Sequence, residues 1–390
     1  MVSRRAFLQA APLGALSLAG AGLPWSPLQA AAAPPAASAA DIPVDRIVSF
    51  MGDNVPVRPA HFPARLQELL KKSSDVSDLY LGGGAVEALE QQFAERLGKQ
   101  DAVFMPTGTM ANQIAIRLLA GDRTRVLLQK ESHVYRDEVD AVAVMSSLNP
   151  IPVDGGASNG LYDAVAAAFA QSAEKPFPLD IGAVSIESPV RRLDGAAVSL
   201  DTIVKIAGLA KSKGAGTHLD GARMLLMHGT PGFDVRRYSA PFDTVYVSLY
   251  KYLGAPFGAI LAGEKALMAR ARDTRHVFGG AMFHGWMAAL IASDSLASFG
   301  ERFTRVHAAA GQLLGLLAAI PGIEVQPVEQ GTNIVFLKLD ERLLAGLPDR
   351  LKKADIYAPA PEQGRMRLTF NETLLRKSPA TIAAVFKPRV

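Results

Sequence analysis

The chain has 390 residues, with 41 Lys and Arg against 37 Asp and Glu, a formal charge of +4 and no cysteine. The absence of cysteine excludes disulfides, thiol catalysis and Cys-ligated metal, and the small charge excess does not suggest nucleic acid. The length is enough for one large domain and one small one.

At the amino terminus, Ser3-Arg4-Arg5-Ala6-Phe7-Leu8 leads into an Ala/Leu/Gly run that ends near Leu23. That pattern reads as a twin-arginine export signal. A short membrane anchor is the alternative, but the run is only moderately apolar and soon meets Pro24 and Pro27. An Ala/Pro-rich linker follows, with a small-x-small cleavage site at Ala37-Ser38-Ala39, so residues 1–40 are expected to be removed and the mature chain to begin near Asp41. Cleavage takes away Arg4 and Arg5 and no acid, lowering the formal charge from +4 to +2. The implied location is periplasmic or exported, reached in the folded state through the twin-arginine machinery.

Apolar strand-like runs then alternate with helical patterns, which predicts an α/β fold with a mainly parallel sheet covered by helices. Val86 to Leu97 reads as an amphipathic helix and Ala102-Val-Phe-Met105 as a strand. Pro106-Thr-Gly-Thr-Met-Ala-Asn-Gln113 turns into a helix at Ile114–Leu119. Further strands are expected at Val126–Gln129, Ile181–Glu187, Thr217–Asp220 and Thr244–Ser248. A helical stretch from about Trp286 to Ile320 precedes an α+β tail with strands at Ile323–Val328, Asn333–Leu339 and Arg365–Phe370. The expected division is a large domain over 41–285 and a small carboxy-terminal domain over 286–390.

Chemistry concentrates at the strand ends. Lys251 lies where an apolar strand runs into a Gly/Pro-rich bend, 31 residues after Asp220 of His218-Leu-Asp-Gly-Ala-Arg223. A lysine shielded by apolar neighbours loses basicity and can form a Schiff base, and a buried aspartate can hold a pyridinium nitrogen protonated. Their order and spacing read as a pyridoxal phosphate (PLP) site. The Thr107-Gly108-Thr109 turn between strand and helix offers free N–H groups and a positive dipole end to a phosphate, or it is a plain cap and turn. Period-two alternation puts His218 and Asp220 on one strand face. Arg223 can bind the cofactor or a substrate carboxylate, or sit on the surface. His133 follows a strand and can stack on a pyridine ring near a substrate hydroxyl, or be a solvated loop histidine. His61, His228, His276, His284 and His307 show no ligand spacing, so no catalytic metal is expected.

Together these segments resemble the PLP-dependent, fold-type-I threonine aldolases of the β-eliminating lyase group. The resemblance runs from Phe50-Met-Gly-Asp-Asn54 through Pro106–Gln113, His133, His218–Arg223 and Ser248-Leu-Tyr-Lys-Tyr-Leu-Gly-Ala-Pro256 to Gly279-Gly-Ala-Met282 and Arg367-Leu-Thr369. It implies an aspartate aminotransferase-like large domain in which Gly108 and Thr109 hold the phosphate, His133 stacks on the ring and Asp220 pairs with its nitrogen. It also implies that Arg223 contacts cofactor or substrate, Lys251 forms the Schiff base, and Arg367 receives the substrate carboxylate. Tyr80 falls in the segment that, in similar proteins, approaches a neighbouring subunit's cofactor, which implies a homodimer or homotetramer.

The implied reaction cleaves a β-hydroxy-α-amino acid to glycine and an aldehyde, with His133, directly or through water, taking the β-hydroxyl proton. Three departures from the family pattern bear on the substrate rather than the cofactor. Gly52 replaces a polar residue, Phe283 stands where an arginine would help bind phosphate, and no asparagine follows Glu187. Two alternatives remain open. One is another PLP reaction on amino acids, whether β-elimination, racemisation or transamination; the other is a non-catalytic exported amino-acid binder.

Overall fold

Seven short strands pair into one sheet, and its central members Ile181–Glu187, Thr244–Ser248 and Ala259–Gly263 are buried at every residue because apolar runs of this kind cannot leave either face in water. The computed structural model describes residues 44–157 and 160–387; the expected export signal, its cleavage site and the rest of 1–40 lie outside the described residues. The strands are β1 (Val48–Ser49), β2 (Asp101–Met105), β3 (Arg125–Gln129), β4 (Asn149–Val153), β5 (Ile181–Glu187), β6 (Gly216–Asp220), β7 (Thr244–Ser248), β8 (Ala259–Gly263), β9 (Ile323–Pro327), β10 (Ile334–Leu339), β11 (Ile356–Tyr357) and β12 (Arg365–Thr369). The main sheet has the order β2-β8-β7-β6-β5-β3-β4. The pairs among β7, β6, β5, β3 and β4 are parallel, and only β8 runs against its neighbours β2 and β7. Reversing direction twice across β8 leaves β2 pointing the same way as β7, so Met105, Gln129, Glu187, Asp220 and Ser248 all end at one edge.

Two of these strands escape the sequence reading for identifiable reasons. β4, Asn-Pro-Ile-Pro-Val, carries Pro150 and Pro152, which suits a sheet edge where missing N–H donors cost no ladder bonds. β8, Ala-Ile-Leu-Ala-Gly, is a short apolar run without alternation, buried at every residue. Truncating a side chain of this core such as Leu127, which is fully buried, is expected to cost about 2–5 kcal/mol.

Helix boundaries follow local chemistry. The helix Gly84–Leu97 ends at Gly98, whose φ of 66° is the left-handed value that glycine adopts without strain. The helix Gly108–Ala120 begins earlier than its apolar periodicity predicts, because Thr107 Oγ1 caps it by accepting from Met110 N at 3.1 Å. The long helix Trp286–Ala318 is tied at its start by Asp78, a buried carboxylate that accepts from Gly285 N at 3.0 Å and Trp286 N at 2.8 Å. Asp78 also accepts from Leu81 N at 3.1 Å, which fixes Tyr80 beside Phe283.

The carboxy-terminal strands form a separate antiparallel sheet in the order β12-β10-β9, and β1 pairs with β11. The long helix packs on both Gly84–Leu97 and the last helix, Pro379–Phe386, so it lies at the point where the two expected domains were to meet.

Candidate active site

At the common edge β5 ends at Glu187 and β6 at Asp220, and these polar groups face one space. β6 ends at Asp220, almost fully buried, whose Oδ2 accepts from Asn112 Nδ2 at 3.0 Å and whose Oδ1 accepts from Ala222 N at 3.1 Å. Asn112 lies one turn into the helix Gly108–Ala120. Its Nδ2 also donates to Glu138 Oε1 at 2.9 Å, so its Oδ1 is left to accept from His218 Nε2 at 2.9 Å. His218 Nδ1 then accepts from the Thr244 hydroxyl at 2.8 Å. Burial drops the His218 pKa to about 4, so this ring is a neutral spacer that orients Asn112 and takes no part in proton transfer near neutrality.

The helix start that faces this network is shaped by one close approach. A Cβ on Gly108 would lie 2.0 Å from the hydroxyl oxygen of Tyr246 on β7, so only glycine lets the helix terminus come this near the sheet. The N–H groups of Gly108 and Thr109 precede the first helical bond, Ala111 N to Thr107 O, so they have no partner within the helix and can serve an anion.

His133 opens a four-residue helix after β3, capped by Ser132. Its backbone N–H donates to Glu187 Oε2 at 2.6 Å. Its Nδ1 lies 3.3 Å from Asp137 Oδ2 and its Nε2 lies 3.8 Å from Glu138 Oε1. Burial pulls the imidazole below its ordinary basicity, and Lys251 adds to this while Asp220 and Asp137 oppose it. Glu138 is pushed up to about 7, chiefly by burial, against hydrogen bonds from Asn112, Gln113 and Thr109. Glu187, at the end of β5, is raised for the same leading reason and further by Asp220.

Lys251 sits in the bend after β7, and its amine has no hydrogen bond or ion pair among the described residues. Burial lowers its pKa to about 8, with Arg223 lowering it further and Asp220 opposing. Arg223 is turned by Asp53, whose Oδ2 accepts from its Nε at 2.7 Å, which leaves the two terminal nitrogens of the guanidinium for a ligand.

Lys251, Asp220, His133, Arg223 and the Gly108–Thr109 terminus therefore converge. Arg367 and Tyr80 stand apart from that centre. Arg367 Nε lies 3.6 Å from Asp194 Oδ1 on a half-exposed surface. Tyr80 is 57% exposed and meets Phe283 edge-to-face at 5.3 Å between ring centroids. The sequence reading did not single out Glu138, Asn112 or Asp53. Asn112 could have been found from its four-residue spacing to Gly108 on one helix face, and Glu138 from its place five residues after His133. Asp53 reaches Arg223 only through the tertiary fold.

A weakly basic buried amine, a buried carboxylate, a free helix terminus and an arginine fork are the donor set that pyridoxal phosphate requires for its aldehyde carbon, ring nitrogen and phosphate. The residues present fit that group.

Residues 75–340 match the family model described as beta-eliminating lyase. Among curated relatives, a low-specificity L-threonine aldolase 1 of Arabidopsis thaliana is 26% identical over 308 residues, 77% of this chain and 86% of the relative. An alanine racemase, TOXG, of Cochliobolus carbonum is 30% identical over 287 residues, 71% of this chain and 72% of the relative. A solved Leishmania major threonine aldolase superposes with a TM-score of 0.68 at 19% identity, covering 87% of this chain and 97% of that one. A serine palmitoyltransferase from S. paucimobilis with bound PLP and myriocin superposes at 0.63 and 19% identity, covering 87% and 86%. With a fold-type-I sheet, an edge of converging polar groups and a family match spanning most of its length, this chain belongs to the beta-eliminating lyase family of pyridoxal-phosphate-dependent enzymes.

Proposed function

We propose that the protein cleaves a threonine-like β-hydroxy-α-amino acid to glycine and an aldehyde. The observation that carries this reading is the meeting of Lys251, Asp220 and His133 at one sheet edge, with His133 kept weakly basic by burial and so able to accept a proton near neutrality.

The Lys251 amine would hold the aldehyde carbon of the cofactor. Gly108 and Thr109 N–H groups would hold its phosphate, and the Asp220 carboxylate, fixed by Asn112, would hold a protonated ring nitrogen. Bound pyridoxal phosphate supplies an electron sink for the pair released at the substrate Cα. Arg223 receives the substrate carboxylate, and His133 takes the β-hydroxyl proton. Preorganised charge of the Asp220 kind lowers the barrier by several kcal/mol, about 10²–10³ in rate.

The experiment is the visible spectrum of the purified protein before and after L-threonine, with acetaldehyde assayed in the same sample. A cofactor band that shifts on addition, with acetaldehyde released, supports the reading. A shift without aldehyde moves the reaction elsewhere in the family. The racemase relative at 30% identity favours proton exchange at Cα as the second reading, so L-alanine belongs in the same assay, with D-alanine as the readout.

Export, self-association and domain division complete the proposal. The Arg4-Arg5 segment and the apolar run behind it support twin-arginine export to the periplasm. The exposed Leu79, Tyr80 and Phe283 side chains support a homo-oligomer that covers them. The alternation of the first 245 mature residues (41–285) against the α+β tail supports the division at 285/286. Cell fractionation, light scattering and limited proteolysis test these in turn.

A further inference from the structure

His133 is surrounded more closely than a base needs to be. The spacing of four residues in its short helix returns Asp137 to the imidazole, with Nδ1 3.3 Å from Oδ2. The same carboxylate accepts from Arg192 through Nη2 at 2.6 Å and Nε at 3.2 Å, and also from Arg191 Nη2. The two segments are locked together from beneath. Buried Glu187 accepts from the His133 backbone at 2.6 Å with one oxygen and from the Arg191 backbone at 2.9 Å with the other.

A carboxylate gripped by two guanidinium groups is an acceptor only. Toward an imidazole it can receive N–H and cannot offer one. We infer that Asp137, clamped by Arg191 and Arg192, is a positioning residue that holds His133 in the tautomer with its proton on Nδ1, leaving Nε2 as the nitrogen that receives the substrate proton. Burial raises the Asp137 pKa, but the hydrogen bonds from Arg192 and Arg191 outweigh it and keep the group far below the usual carboxylate range, so it stays charged wherever the enzyme is folded.

The identity of the proton rests on the aldol-cleavage reading. The β-hydroxyl O–H bond breaks and its proton forms the new N–H at Nε2. The oxygen keeps the electron pair, which becomes the second carbonyl bond of the aldehyde as Cα–Cβ breaks and its own pair stays on Cα, and Nδ1 keeps its proton against Asp137. The charged groups around the ring are Asp137 at the end of its own helix, Glu138 at 3.8 Å from Nε2, Asp220 on β6 and Lys251 after β7, while Glu187 on β5 meets the backbone N–H. None of them contacts Nδ1 apart from Asp137, so the tautomer is set on that side.

The test is ¹H–¹⁵N NMR of the His133 ring in the purified holoenzyme, with Asp137→Asn and Asp137→Glu alongside. The wild-type spectrum is expected to show a protonated Nδ1 and a bare Nε2 at neutral pH. In Asp137→Asn the two arginines draw the amide oxygen and leave its NH₂ toward the ring, so the proton moves to Nε2. There kcat falls about 10²–10⁴-fold with KM changed much less, and Asp137→Glu recovers part of the loss. A wild-type ring protonated on Nε2 overturns the inference without any variant, and so does Asp137→Asn with unchanged tautomer and kcat. Full turnover by His133→Phe would instead remove the base role and leave the tautomer result standing.

Discussion

Arg223 Nε and Asp53 Oδ2 lie 2.7 Å apart in a mostly buried ion pair that joins the turn after β6 to the opening segment of the described chain. The other Asp53 oxygen accepts from Asn333 Nδ2 at 3.1 Å, at the start of β10, so one carboxylate fixes the arginine against both sheets.

Asp53→Ala is therefore expected to raise KM for the amino acid about 10–100-fold, the equivalent of one charged hydrogen bond, while kcat changes less. Steady-state kinetics with L-threonine check this. An unchanged KM would mean that Arg223 does not need Asp53 to meet the carboxylate.

Lys251, with its pKa near 8, is about one-tenth neutral at pH 7 and about nine-tenths neutral at pH 9, and only the neutral amine attacks an aldehyde. Cofactor capture by apoenzyme is expected to speed up about tenfold across that interval. Stopped-flow absorbance after adding pyridoxal phosphate measures it, and Lys251→Ala should show no lysine-bound band at any pH.

Glu138 titrates at about 7 in the fold against an ordinary 4.5. The folded chain therefore binds more protons than the unfolded one between those values, so this group's contribution to stability falls as pH rises through the window and stays lost above it. Glu138→Gln has no such dependence. Relative to wild type, its stability should improve by up to about 3 kcal/mol from pH 4.5 to 8, whatever the absolute cost of placing an amide against Asn112 and Gln113. Urea unfolding at the two pH values gives the difference, and a difference independent of pH would place the Glu138 titration elsewhere.

Gly108→Ala would drive its Cβ into the Tyr246 ring, 2.0 Å from the hydroxyl oxygen and 2.6 Å from Cζ. About 1–3 kcal/mol of overpacking is expected, together with weaker cofactor binding. Tyr246→Phe in the same chain should restore part of it by removing the nearer atom. Thermal unfolding of the single and double variants decides whether the glycine serves packing against Tyr246 or the ligand alone.

The sequence by itself determined the parts of this protein that depend on neighbours in the chain. Apolar runs between helical periods specified β2, β3, β5, β6 and β7, and a strand that ends in a polar residue must place that residue at the sheet edge. Asp220 at the end of β6 and Lys251 in the bend after β7 were legible for that reason. Only the tertiary structure decided how those edges are furnished. β4 and β8 carry prolines or unpatterned apolar residues, and their pairing depends on partners distant in sequence. Asn112 and Asp220 are separated by 108 positions, and Asp53 and Arg223 by 170, so no local spacing encodes their contact. The burial that lowers Lys251 and raises Glu138 likewise belongs to no segment, since it exists only once several strands and helices have excluded water from the same space.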